Sequence, residues 1–230
     1  MRQLEQSEEK YAGLLGTLPA EGWLAQQPVA FQTRMGEAGR WTTLPRGGLL
    51  YTVGDVPNAI YGLGEGLLDI SIPTGGDEEV MIYRAGPGFW IGESALLAET
   101  TRVITVSAAV ECRVFRIPIS AVRRALTEHP EDWICFFRLN HANGTLAVSI
   151  LAEVLSLPPR ARFARMLIRQ SAPDGSVRAT QEDLGRMAGM SRAAFRRALS
   201  ALIEAGALRT EYGGVRIVDR AALERATEKS

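Results

Sequence analysis

Thr180–Ser200, TQEDLGRMAGMSRAAFRRALS, decides how the chain is read, because two capping signals and a turn glycine fall in it at the spacing of a helix-turn-helix. Thr180 can cap a first helix, with Asp183 three residues on and the apolar pair Leu184 and Met187 turned inward. Gly189 supplies a tight turn and Ser191 caps a second helix. Ala194, Phe195, Ala198, Leu199 and Leu202 recur at helical spacing and leave Arg192, Arg196 and Arg197 on the outer side. One packed side and one guanidinium side are what a helix needs to enter the DNA major groove. The plain alternative is an amphipathic helical hairpin with a solvated arginine face.

The residues that follow favour DNA. Gly206 ends the second helix, and Arg209–Ile217 reads as two short strands around Gly213-Gly214, a wing whose Arg209, Tyr212 and Arg216 can reach flanking phosphates. The expected DNA-contacting set is Thr180, Gln181, Ser191, Arg192, Ala193, Arg196, Arg197 and Arg216. Charge agrees, although the whole chain is formally neutral: residues 160–220 hold 12 Arg against 6 Asp or Glu, a net of +6, and residues 1–159 carry a net of −6. The basic block suits a polyanion, and the acidic block should stay away from it.

With 230 residues, 46% apolar and 23% charged, the chain can build two cores of ordinary soluble composition. It contains no apolar run of about 18 residues, and its polar, acidic start is unlike a secretory leader, so a cytoplasmic location is expected. Cys112 and Cys135 are too few and too far apart for a cluster or a structural zinc, and His129 and His141 make no ligand spacing, so no metal is expected. Both thiols read as buried.

Upstream, a helical segment to about Thr33, resting on Leu4, Tyr11, Leu14, Leu15 and Leu18, precedes a region of strands. From about Arg40 to Ile117, apolar runs alternate with Gly, Pro, Asp and Asn turns: Leu49–Val53, Ala59–Leu63, Leu67–Ile72, Val80–Tyr83, Val103–Ala108 and Val114–Ile117. That spacing suits a small antiparallel barrel or jelly roll. Helix returns at Ile119–Leu126, then over Glu131–Leu157, where Phe137, His141, Gly144, Val148, Leu151 and Leu155 form a seam of the kind that pairs with another helix. Pro158-Pro159 ends it as a hinge. The expected organisation is α+β: residues 1–130 a jelly-roll sensor, 131–157 a dimerisation helix, and 158–230 a winged helix-turn-helix.

In this order the parts resemble the family of bacterial transcription regulators that contains the cyclic AMP receptor protein and the fumarate–nitrate regulator (CRP/FNR), over nearly the whole chain after Arg40. Leu44-Pro45-Arg46-Gly47-Gly48 through Gly64-Glu65-Gly66 is similar to the family's first barrel strands, and Gly88–Leu97 with Arg102 to its phosphate-binding cassette. Arg162-Phe163-Ala164 is similar to the start of its first DNA-domain helix. The resemblance implies a homodimer that regulates transcription without catalysis, binds a pseudo-palindromic operator and contacts RNA polymerase. It also implies an effector site at Gly92, Glu93, Ser94, Ala95, Arg102 and Val103, where backbone N–H groups and Arg102 would hold a phosphate and Glu93 a ribose hydroxyl.

The residues also depart from the cyclic AMP pattern. Val103 stands where a hydroxyl residue is usual, and Ala147 and Val148 stand where a hydroxyl pair would meet adenine. Each polar ligand atom left unpaired costs ~1–3 kcal/mol, so these losses weaken binding by two or more orders of magnitude unless Thr145 or Ser149 compensates. A cyclic nucleotide stays a candidate effector, and cyclic AMP is the one the residues argue against. Gly144 costs ~1 kcal/mol against alanine in a helix interior, and allows close helix approach or leaves room for a ligand. His141 reads as an interface histidine, with a ligand contact the alternative. Ala193 cannot accept a hydrogen bond from cytosine, whereas Arg192 can pair with guanine.

Three other forms of function were open. A constitutive regulator could keep the cassette only for packing, with Arg102 paired to Glu93 or Glu99. A cupin-like enzyme would need a His and carboxylate cluster within the strands, and both histidines lie outside them. A nucleotide-binding module acting on a protein partner would leave the arginine-rich helix unexplained.

Overall fold

A computed structural model describes residues 22–74, 79–172 and 174–227. The apolar residues of the expected N-terminal helix up to Leu18 lie outside them. The chain divides into two compact units, one of residues up to 79 together with 83–145, the other of residues 80–82 and 146 onward.

In the first unit, a short 3-10 turn at Trp23–Gln26 precedes α1, Val29–Ala38. Helix α1 runs five residues past the expected end, because Phe31 and Met35, four apart, both enter the core. Trp23 seals this end of the core: its indole N–H donates to the Cys135 carbonyl at 2.8 Å, and its ring packs edge-on against Phe31 and Trp90. Strands β1 (Arg40–Leu44), β3 (Ala59–Glu65), β6 (Trp90–Ile91) and β8 (Cys112–Pro118) form one antiparallel sheet in the order β1-β8-β3-β6. Strands β2 (Leu49–Tyr51), β4 (Leu68–Pro73), β5 (Glu79–Ala85) and β7 (Thr105–Ala108) form a second, β2-β7-β4-β5.

The barrel core holds Tyr51, Tyr61, Leu63, Leu68, Ile70, Val106 and Val114. Its buried residues alternate along β4 with Asp69 and Ser71, as a sheet with one packed face requires. Helix α2, Glu93–Leu97, interrupts the strands. Helix α3, Ile119–Glu128, turns Ala121, Val122, Ala125 and Leu126 inward. Helix α4, Trp133–Ser156, buries only Cys135, Phe136 and Leu139 within this chain. Cys112 and Cys135 are buried free thiols, as their sequence context suggested.

The second unit is helical with a small sheet. Helix α5, Pro159–Gln170, begins with proline in its first turn, where no N–H is needed. Its Phe163, Ala164 and Leu167 form a core with Phe195, Leu199, Leu202, Leu208 and Leu223. Strands β9 (Ser176–Arg178), β10 (Leu208–Glu211) and β11 (Gly214–Ile217) pair antiparallel in the order β10-β11-β9. Gly214 is obligatory at this crossing, since a Cβ there would lie 2.2 Å from the Val177 carbonyl oxygen. A last helix, α8 at Arg220–Arg225, is capped by Asp219. Among the described residues, no helix is long and apolar enough to cross a membrane.

Candidate functional site

The helix-turn-helix forms from its own caps. Thr180 Oγ1 accepts the Asp183 N–H at 3.1 Å to start α6, Gln181–Met187, and Ser191 Oγ accepts the Ala194 N–H at 3.3 Å to start α7, Arg192–Glu204. The turn between them closes through the Met190 N–H to the Gly185 carbonyl at 3.1 Å. Helix α7 buries Phe195, Ala198, Leu199 and Leu202, and the Phe195 ring meets Phe163 edge-on at 5.2 Å. Gln181, Ser191, Arg192, Ala193, Arg196 and Arg197 are all exposed.

Their electrostatics differ from the wing's. Among the described residues, none forms an ion pair with Arg192, Arg196 or Arg197. On the wing, Arg216 is held by Glu211 at 2.6 Å and Asp174 at 3.4 Å, and Arg209 by Glu211 at 2.8 Å. Hydrogen bonds from Arg216 and then Arg209 hold the Glu211 carboxyl below the usual carboxylate range. A phosphate reaching Arg216 must therefore compete with two carboxylates, whereas the start of α7 offers guanidinium groups directly. Tyr212 stands fully exposed at the wing tip.

In the first unit, the expected effector residues split. Gly92, Glu93 and Arg102 are brought together in a buried cluster, with Ala95 buried beside it, while Ser94 is exposed and the Val103 side chain points to solvent. The sequence offered Glu93 or Glu99 as internal partners for Arg102. The guanidinium instead donates to two backbone carbonyls, Gly92 and Ala59, each at 2.6 Å, because the bend into α2 turns the Gly92 carbonyl back toward β3. The Tyr51 ring covers its face, with 4.2 Å between the guanidinium carbon and the ring centroid. Arg102 is 3% and Glu93 2% exposed.

Glu93 Oε1 accepts from Asn143 of α4 at 2.9 Å, and Asn143 also donates to the Trp90 carbonyl at 3.1 Å. Among the described residues, none hydrogen-bonds to the buried Glu93 Oε2. Burial pushes the Glu93 carboxyl above its ordinary range, with Asn143 and Arg102 pulling the other way, and burial likewise raises the Tyr51 phenol. Sequence reasoning missed Tyr51 and Asn143, since a strand tyrosine and a helical asparagine carry no local signature of a site.

Gly92 has φ +105°, and a Cβ there would sit 3.0 Å from Arg102 Nη1 and 3.2 Å from the Ala59 oxygen. Gly92→Ala is therefore expected to destabilise the first unit by about 2 kcal/mol, through left-handed strain and a displaced Arg102. Denaturant titration checks this, and a loss under about 0.5 kcal/mol would show that the clasp relaxes freely.

The seam residues of α4 are all on the surface of this chain. Phe137, Val148, Leu151 and Leu155 are 62%, 67%, 56% and 77% exposed, and His141 and Gly144 are also exposed. Trp133, Ile134 and Val154 extend the exposed apolar set beyond the residues expected.

A double-layered antiparallel barrel, a long helix and a winged helix-turn-helix with open arginines define a two-part DNA-binding regulator. A family model described as a cyclic nucleotide-binding domain matches residues 41–129, and one described as a Crp-like helix-turn-helix domain matches residues 161–226. The chain is 25% identical over 185 residues to the cyclic AMP receptor protein of Thermus thermophilus, covering 78% of this chain and 84% of that protein. It is 24% identical over 195 residues to the CRP-like cAMP-activated global transcriptional regulator of Mycobacterium tuberculosis, covering 79% and 85%. In fold it is similar to FixK2 from Bradyrhizobium japonicum, with TM-score 0.74 at 16% identity over 84% of this chain and 98% of that one. The chain belongs to the CRP/FNR family of transcription regulators. It is a regulator of that type, with a Crp-like helix-turn-helix domain for DNA.

Proposed function

We propose that the protein acts in the bacterial cytoplasm as a homodimer, pairing through α4 and setting two α7 helices into successive major grooves of a pseudo-palindromic operator. The observation that carries this is the set of exposed arginines opening α7, with no carboxylate among the described residues paired to them. The apolar face of α4 supports the dimer, since so many exposed large apolar side chains on one helix ask for a partner helix. Two-fold symmetry then places the half-sites about one helical turn, ~34 Å, apart. Contact with RNA polymerase follows from family membership, as the route by which operator binding changes transcription.

Arg192 takes the guanine-reading role, as the first exposed guanidinium of the recognition helix. Arg196 and Arg197 grip phosphate or a further base, and Ala193 offers at most a methyl contact to thymine. Between effector-gated and constitutive action, the buried cassette favours the second. The test is selection of bound DNA from a random library, then titration of the selected operator. Arg192→Ala is expected to lose about ten- to a hundredfold in affinity per half-site and to relax preference at one base pair. Uniform weakening with unchanged preference would make Arg192 a phosphate contact, and failure of the native protein to select a palindrome would overturn the proposal.

A further inference from the structure

We propose that Tyr51 and Arg102 close the cassette from within, so that this sensor excludes a cyclic nucleotide and the protein reads its operator without one. The operator half of this rests on the function proposed above, while the exclusion rests on the geometry of the first unit alone.

A phosphate needs guanidinium N–H groups, and Arg102 has spent one on each side. Nη1 is bound to the Gly92 carbonyl and Nη2 to the Ala59 carbonyl, both at 2.6 Å, short bonds of the charge-assisted kind. Drawing the side chain onto a ligand would leave two buried carbonyls without donors. The open face of the guanidinium is also taken, because the Tyr51 ring lies on it at stacking distance.

The two residues are held together by backbone as well. The turn after β2 closes through the Thr52 N–H to Asp55 Oδ2 at 2.8 Å. The same turn pairs with Arg102 in both directions, the Gly54 N–H to the Arg102 carbonyl at 2.8 Å and the Arg102 N–H to the Asp55 carbonyl at 2.9 Å. Strand β2, which carries Tyr51, cannot withdraw from Arg102 without breaking these bonds.

The remaining polar groups fit a cyclic nucleotide poorly. Val103 presents an exposed isopropyl group to any phosphate, and the Glu93 acceptor is engaged at Oε1 by Asn143. Glu93 Oε2 could accept from a ribose hydroxyl, but Glu93 itself is 2% exposed and covered by protein. Tyr51 is therefore the specificity-determining residue. Its ring lies on the guanidinium that would bind the phosphate and holds it in place.

The experiment uses full-length protein in calorimetric titrations with cyclic AMP, cyclic GMP and cyclic di-GMP up to about 1 mM. Alongside, affinity for the selected operator is measured with and without each nucleotide. Native protein is expected to give no binding heat and an operator affinity that changes less than twofold. Tyr51→Val and Tyr51→Leu remove the ring while keeping an apolar strand residue, and whichever retains the native melting transition is expected to bind at least one nucleotide tenfold or more tighter than native protein. Micromolar binding to native protein, or a nucleotide-dependent shift in its operator affinity, overturns the proposal. Folded variants that gain no binding overturn the part played by Tyr51. If no operator is selected under any condition, the regulatory function fails while the calorimetry still decides the exclusion.

Discussion

Replacing Leu151 and Leu155 together with aspartate is expected to break the proposed dimer into 25.0 kDa monomers and to lower operator affinity by at least a hundredfold. Both side chains are largely exposed on the isolated chain, so neither substitution empties a buried site and the helix should persist. Across a two-fold axis each residue counts twice. Four leucines at about 1.5–3 kcal/mol of burial each give an upper bound of about 6–12 kcal/mol, and four carboxylates brought to the same seam add repulsion and desolvation. Operator affinity falls because the second half-site stops being an intramolecular event. Sedimentation equilibrium with operator titration checks both parts, and a variant that stays dimeric at micromolar concentration would move the interface off this face of α4.

The second large effect lies in the DNA-binding unit. Phe163→Ala should cost about 3–5 kcal/mol, because the side chain is fully buried and its ring supports Phe195 on the inner face of α7. That is a large share of the 5–15 kcal/mol that stabilises a typical domain, so specific DNA binding should disappear near the growth temperature. The first unit has its own core and should melt as before, leaving two separated transitions in calorimetry. A single transition, or a shift worth less than about 1 kcal/mol, would mean that the cavity is refilled by its neighbours.

The helix-turn-helix was legible because its determinants are local. Thr180, Ser191, Gly189 and the apolar spacing of α7 act within a few residues of themselves, and each took the position its chemistry suggested. The six strands expected in the barrel all formed, with ends displaced by at most two residues where sheet partners extended or cut them. The expected set did not include β1, β6 and β9. Strand β1 is RWTTL, with no clean alternation, and β6 is two residues long, so both depend on pairing with distant strands for their existence. Strand β9 is likewise short and is recruited by the wing.

The cassette shows the same division. Gly92, Glu93 and Arg102 were found from an ordered motif, but their state was not. Ala59 lies 43 residues before Arg102, Asn143 lies 50 after Glu93, and nothing local to any of them encodes those bonds. On the wing, the sequence did not show that Glu211 and Asp174 would pair with Arg216.

By itself, then, the sequence determined most of the elements, the two-part plan and the capped helices of the helix-turn-helix, because capping, periodicity and charge act over three to seven residues. Only the tertiary structure decided which polar groups are satisfied within the protein and which remain open to a ligand. Hydrogen bonds and ring contacts between residues tens of positions apart depend on sheet pairing and packing. Those contacts leave Arg192 and its neighbours open and occupy Arg102 within the barrel.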